Sequence, residues 1–118
     1  MRNMSFALTE AQLLDGSKTV TRRLGWKTLK PGDRFQAVRK AMGLKKGERV
    51  EPLAVCEVLS ICRERLDAID QQDCRLEGFP DLSPVLFVDM FCRAMRCTPA
   101  TIVTRIWFSR VQAPSLPG

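Results

Sequence analysis

Gly16-Ser17-Lys18-Thr19-Val20-Thr21-Arg22-Arg23 sets one lysine, two threonine hydroxyls and two guanidiniums directly behind a glycine. Upstream, Thr9-Glu10-Ala11-Gln12 has the form of a capping box, with Leu8, Ala11 and Leu14 as apolar contacts. A short helix should therefore start at Thr9 and stop at Gly16. Thr19 to Leu24 is β-rich, so the stretch is a helix-to-strand junction. Strand side chains alternate faces, so Thr19, Thr21 and Arg23 share one face and Val20, Arg22 and Leu24 the other. Val20 and Leu24 are the core-like pair, which turns Thr21 and Arg23 together toward a cleft. Lys18 has the wrong parity to join them. It converges only if Ser17-Lys18 still belong to the turn that Gly16 permits.

Outward from the junction, Met4 to Leu8 reads as a first strand. Lys30-Pro31-Gly32-Asp33 fits a type II turn, with Pro at i+1 and Gly at i+2. Arg34 to Lys40 is a strand, followed by the basic loop Gly43-Leu44-Lys45-Lys46-Gly47-Glu48. Leu53 to Cys62 is apolar on both faces and should be central, with Ala54, Cys56, Val58 and Cys62 together on one face. Leu66 to Gln72 fits a short helix, Gln71 to Leu76 reads as loop-like, and Glu77-Gly78-Phe79-Pro80 is a turn. Ser83-Pro84 starts a helix that carries Phe87, Val88, Phe91, Ala94 and Met95 as a buried stripe. Ile102 to Val111 closes the sheet. The expected fold is α+β and predominantly β, a barrel-like, mostly antiparallel sheet with short flanking helices. Residues 1–112 form one domain and 113–118 a C-terminal tail.

A chain of 118 residues is long enough to bury a core without metal or disulfide help. The five cysteines are irregularly spaced without a CxxC, and histidine is absent. Reduced, mostly buried thiols in a cytoplasmic protein are expected, with no metal site and no cofactor. The missing histidine excludes Ser-His-Asp and Cys-His schemes, leaving Lys, Glu, Asp or Cys for any proton transfer. No apolar run is long enough to span a membrane, so no membrane partner is expected. A monomer is favoured. A net charge of +6 points to an anionic partner, with RNA, a nucleoside or a nucleotide as the natural class.

Two functions fit the Lys18, Thr21 and Arg23 trio. In one, the cations hold a phosphate or a base edge and Thr21 adds a hydrogen bond. In the other, Thr21 is a nucleophile and Lys18 its base, which requires a lysine pKa drawn toward neutral. A solvated basic strand is the bland alternative.

The run Gly16-x-Lys18-x-x-Thr21-x-Arg23, followed by Leu29-Lys30-Pro31-Gly32-Asp33, resembles the ASCH domain family. Glu77-Gly78-Phe79 before an apolar helix and the Ile102-Val103-x-x-Ile106-x-Phe108 strand extend the resemblance from about Met4 to Val111. It implies a PUA-like β-barrel and recognition of RNA or a modified nucleoside or nucleotide beside the motif. One small branch is an amidohydrolase of acetylated cytidine, and carry-over makes Lys18, Thr21 and Glu77 its catalytic set. Other members imply ribonuclease action as a second alternative. Small phage and prophage proteins are also similar. Arg22 stands where one branch has an apolar residue, which implies a sheet edge.

Around this set, Arg23 and Arg22 are ligand-binding candidates. Trp26 follows Gly25, where a base could stack on it or it could lid the barrel. Lys40, Lys45 and Lys46 could track a phosphate backbone, against the bland reading of a solvated loop. Arg63-Glu64-Arg65 is expected to be a solvated strand end. Cys92 and Cys97 are expected to be buried and too far apart to act as a pair.

Overall fold

The longest strand organises the fold. In the computed structural model, which describes residues 1–41 and 43–111, β4 (Pro52–Arg65) lies at the centre of a five-stranded sheet. The others are β1 (Arg2–Ser5), β2 (Val20–Arg23), β3 (Arg34–Val38) and β5 (Ile102–Arg110). Their order is β1-β3-β4-β5-β2, with only the β1–β3 pair parallel. The sheet curls into a half-barrel whose free edges are β1 and β2.

Three helices flank it: α1 (Glu10–Asp15), α2 (Gln71–Leu76) and α3 (Pro84–Met95). Gly16 ends α1 at φ 85°, a left-handed conformation that favours glycine. Ser83 Oγ accepts from the Leu86 N–H and Pro84 opens α3, the expected cap pair. One core, inside the curl, joins Phe6, Leu13, Phe35, Val58, Ile106 and Phe108. The Phe6, Phe35 and Phe108 rings lie within 5.7–6.3 Å of one another. A second core packs Leu66, Ile69, Cys74, Phe87 and Val88 against Val103.

Several local expectations are corrected. Thr9 caps α1 by position but makes no side-chain capping bond, and Gln12 instead reaches Gly78 across the molecule. The apolar anchor of α1 is Leu13, whereas Leu8 and Leu14 are exposed, because so short a helix has room for one inward residue. Gln71 to Leu76 is helical rather than loop: Asp70 caps it by accepting from the Asp73 N–H, an Asx cap within a polar segment that lacks apolar periodicity. A short 3-10 turn, Leu66–Ala68, precedes it.

The pairing of β4 with β5 slips between Val58 and Ser60, an irregularity that flips the facing of everything beyond Leu59. Cys56 and Val58 face the core, but Cys62 is exposed and Ile61 packs inward. Only Cys56 and Cys74 are fully buried; Cys92 and Cys97 are half-buried, joined through the Cys97 N–H donating to the Cys92 carbonyl at 3.2 Å. The stripe on α3 is only half covered: Phe87 and Val88 are buried, while Ala94 and Met95 are exposed. The expected tail, 113–118, lies outside the described residues. Among those described, no helix is long and apolar enough to cross a membrane.

Candidate functional site

The half-barrel stays open between β1 and β2, and a cleft of about 580 Å³ lies there. That is within the usual size of a small-molecule site, roughly 300–1,000 Å³. Both free edges line it, and α3 supplies an apolar wall from Phe87, Met90, Phe91 and Met95. Lys18, Thr21, Arg22, Arg23, Trp26, Lys40 and Glu77 all line the same cleft. Lys45 and Lys46 do not; they are exposed on the loop between β3 and β4.

Lys18 reaches the cleft because it precedes the strand. The turn after Gly16 continues through Thr19, fixed by Lys18 N–H to the Gln12 carbonyl at 3.0 Å and Thr19 N–H to the Leu76 carbonyl at 2.9 Å. Strand parity therefore applies only from Val20 onward. Within β2, Thr21 and Arg23 do share a face: Arg23 Nε donates to Thr21 Oγ1 at 3.0 Å, and its guanidinium stacks on Phe6. Trp26 holds its place at the rim under the Arg2 guanidinium, 3.9 Å from the ring centre.

Glu77 caps the end of α2 and is buried. Its Oε1 accepts from Lys18 Nζ at 2.8 Å, and its backbone carbonyl accepts from the same amine at 2.8 Å. Its Oε2 accepts from Arg22 Nη1 at 3.2 Å. No hydrogen bond joins Lys18 to Thr21 among the described residues; Thr21 is bonded to Arg23 instead. Burial pulls the Lys18 ammonium below the usual lysine range, against the opposing pull of Glu77, and the Arg23 and Arg22 charges push the same way as burial. Burial likewise draws Arg23 down to about 10, with Glu77 acting against it, so Arg23 stays cationic at neutral pH.

Arg22 lies on an edge strand, yet it is not solvated. Register sets it directly opposite Arg105 on β5, a like-charge pair that would repel across the strands. Asp73 from α2 bridges them, 2.6 Å from Arg22 Nη2 and 2.7 Å from Arg105 Nε. Glu64, on the same face, adds a 2.9 Å bond to Arg22 Nη2. Burial opposes the Arg22 charge, but Asp73 and Glu77 outweigh it and raise its pKa. The strand end Arg63-Glu64-Arg65 is thus partly structural, since Arg63 also bonds Thr104 Oγ1. Asp73 and Glu64 were missed in the sequence. The signal that could have found them was the burial of a charged residue, Arg22, which demands carboxylates nearby.

A crystal structure of an ASCH domain from Lactobacillus crispatus JV V101 superposes with a TM-score of 0.63 at 14% identity, over 92% of this chain and 78% of that one. This is the ASCH fold. Protein EF3133 from Enterococcus faecalis V583, described by the DUF984 family model, superposes with a TM-score of 0.65 at 12% identity, over 94% and 76% of the two chains. No protein-family model matches the sequence, and no curated protein matches it significantly. The expected PUA-like β-barrel fold is therefore present, its sheet curled into a half-barrel, at identities that speak to the fold alone.

Proposed function

We propose that the chain binds RNA or a modified nucleoside or nucleotide in the cleft between β1 and β2. One observation carries this reading: Arg23 is half-buried in the cleft and forms no ion pair among the described residues. A half-buried guanidinium with no carboxylate in ion-pair contact has room for an acceptor, such as a phosphate or a base carbonyl. The apolar wall of α3 and Trp26 at the rim suit the flat faces of a base. Calorimetric titration with nucleosides, nucleoside monophosphates and single-stranded RNA tests it. Binding should weaken at least tenfold in Arg23→Gln, and no binding by the wild type in any of the three series would remove the proposal.

A second reading is favoured by Lys18. A neutral amine has two N–H bonds and one lone pair. Both N–H bonds are satisfied by Glu77, which leaves the lone pair to take a proton. With the lowered pKa of this lysine, that arrangement supports an amidohydrolase that deacylates acetylated cytidine. Thr21 Oγ attacks the acyl carbon and passes its proton to Lys18, the amide C–N bond breaks as Lys18 returns that proton to the departing cytidine amine, and water then hydrolyses the acyl group from Thr21. Incubation with acetylcytidine should release cytidine, with about 10²–10⁴-fold slower release in Lys18→Met and no detectable release in Thr21→Ala. Plain binding, by contrast, tolerates Thr21→Ala with a modest loss.

A further inference from the structure

Glu77 presents its two carboxylate oxygens to two different cations, Oε1 to Lys18 and Oε2 to Arg22. Arg22 is itself held from the opposite side. Its Nη2 is shared between Asp73 and Glu64, and Asp73 is locked by both Nε and Nη2 of Arg105, at 2.7 and 3.1 Å. The chain Arg105–Asp73–Arg22–Glu77–Lys18 thus runs from β5 through α2 and β2 to the floor of the cleft. Its middle members, Arg22 and Glu77, are buried. Only a planar fork spans such a gap, donating to Glu77 with one nitrogen and to Asp73 with the other.

We propose that Arg22 is a positioning residue: it pins Glu77 Oε2 so that the Lys18 amine is held at one place and orientation in the cleft. This rests on the cleft being the ligand site, and it assigns Asp73 and Arg105 the task of fixing Arg22. The position of Arg22 in β2 serves this. Thr21 and Arg23 on either side face the cleft, while Arg22 turns to α2 and meets Glu77 where that helix ends. Without the fork, Glu77 is free to close both oxygens around Lys18 as a symmetric ion pair, and the lysine loses its partner-imposed direction.

The consequence can be read at Lys18 without any ligand. The charged groups facing Lys18 are Glu77 from the end of α2 and Arg22 and Arg23 from β2. Gln12 of α1, packed beside it, is uncharged and bonded to Gly78. Lys40 enters the same cleft from the loop after β3. Removing the Arg22 fork deletes one repelling cation and leaves Glu77 to Lys18 alone, so both changes favour the ammonium.

The test follows the side-chain nitrogen of Lys18 by NMR across the neutral-to-alkaline range in full-length wild type, Arg22→Met and Arg22→Lys. Urea midpoints report whether each variant folds. Both variants should titrate higher than the wild type, each unit of rise cutting the neutral fraction of Lys18 about tenfold. Arg22→Lys keeps the charge but cannot span Glu77 and Asp73, so a fork role moves it toward Arg22→Met. If Arg22→Lys titrates like the wild type, Arg22 acts by charge and the positioning role is overturned. If Arg22→Met does not fold, Arg22→Lys decides alone. Ligand binding by the wild type is a separate measurement. Its failure would remove the cleft as a site, whereas an unmoved Lys18 midpoint would remove only the role of Arg22.

Discussion

Lys18 Nζ lies 2.8 Å from Glu77 Oε1, with both side chains almost wholly removed from water. A buried pair of this kind need not stabilise the fold relative to an apolar pair, but losing one partner strands the other. Glu77→Gln keeps the shape and removes the charge, leaving Lys18 and Arg22 without their shared anion. It should cost about 3 kcal/mol, toward the lower end for a broken buried pair because Lys18 can release its proton. Urea unfolding with an unchanged m-value measures this. A loss within about 0.5 kcal/mol, the scatter of ordinary surface changes, would mean that the pair does not hold α2 to the turn before β2.

The ionic chain also sets how stability changes with pH; the sign is the same for Asp73 and Lys18, and only the window differs. Burial pushes the Asp73 carboxyl up, but its bonds from Arg105 and Arg22 outweigh that and hold it below the ordinary range. A carboxyl lower in the folded state stabilises above its unfolded pKa, and that contribution is lost as pH falls through its folded value. Asp73→Asn should therefore flatten the acid side of a stability–pH curve. Lys18 is also lower in the folded state. The unfolded chain then holds the extra proton between the two values, so stability rises with pH from the folded value toward the ordinary lysine pKa. Lys18→Met should remove that alkaline rise. Urea midpoints across the pH range test both, and an unchanged acid limb in Asp73→Asn counts against the Arg105–Asp73–Arg22 bridge.

How far the sequence could be read depended on which forces were local. The Lys30 to Asp33 turn, the Ser83-Pro84 cap and the Gly16 stop rest on backbone preferences of the residues themselves, and each was legible. The convergence of Thr21 with Arg23 followed from strand alternation. What stayed hidden depended on distant partners. The role of Gln12 is set by Gly78, 66 residues away, not by its own helix. Asp73 and Glu64 acquire meaning only once α2 is laid over β2 and β5. The register slip at Leu59 has no signature in a run of apolar residues, because every register buries something there.

That slip has a direct chemical readout. Uninterrupted alternation would put Cys62 on the same face as Cys56, whereas the slipped pairing exposes it. Burial pushes the Cys56 thiol up to about 12 and also raises Cys74. Under native conditions a thiol reagent should label Cys62 rapidly, while Cys56 and Cys74 react only on unfolding. Mass spectrometry of digested protein assigns the order. Equal protection of Cys62 and Cys56 would mean that β4 runs straight.

Gly78 joins the scaffold to the site most tightly. It follows Glu77, lies at φ 97°, and sits so close to α1 that an added Cβ would be 2.9 Å from Gln12 Cβ and 3.0 Å from its Cγ. Lys18 Cβ would be 3.5 Å away, at ordinary contact. Alanine there is strained twice, by a backbone conformation L-residues avoid and by a clash near the base of the Gln12 side chain, where no rotamer change relieves it. Gly78→Ala should lower stability by about 1–3 kcal/mol. Relief must come from α1 moving off the Glu77–Gly78 turn, which would loosen the 3.2 Å bond from Gln12 Nε2 to the Gly78 carbonyl. Gln12→Gly removes both clashing carbons and gives up that bond, so the double variant Gln12→Gly/Gly78→Ala should recover part of the loss beyond additivity. Strictly additive losses would show that Gly78 is needed for its backbone angle alone and that the close packing of α1 against the Glu77 turn carries no weight.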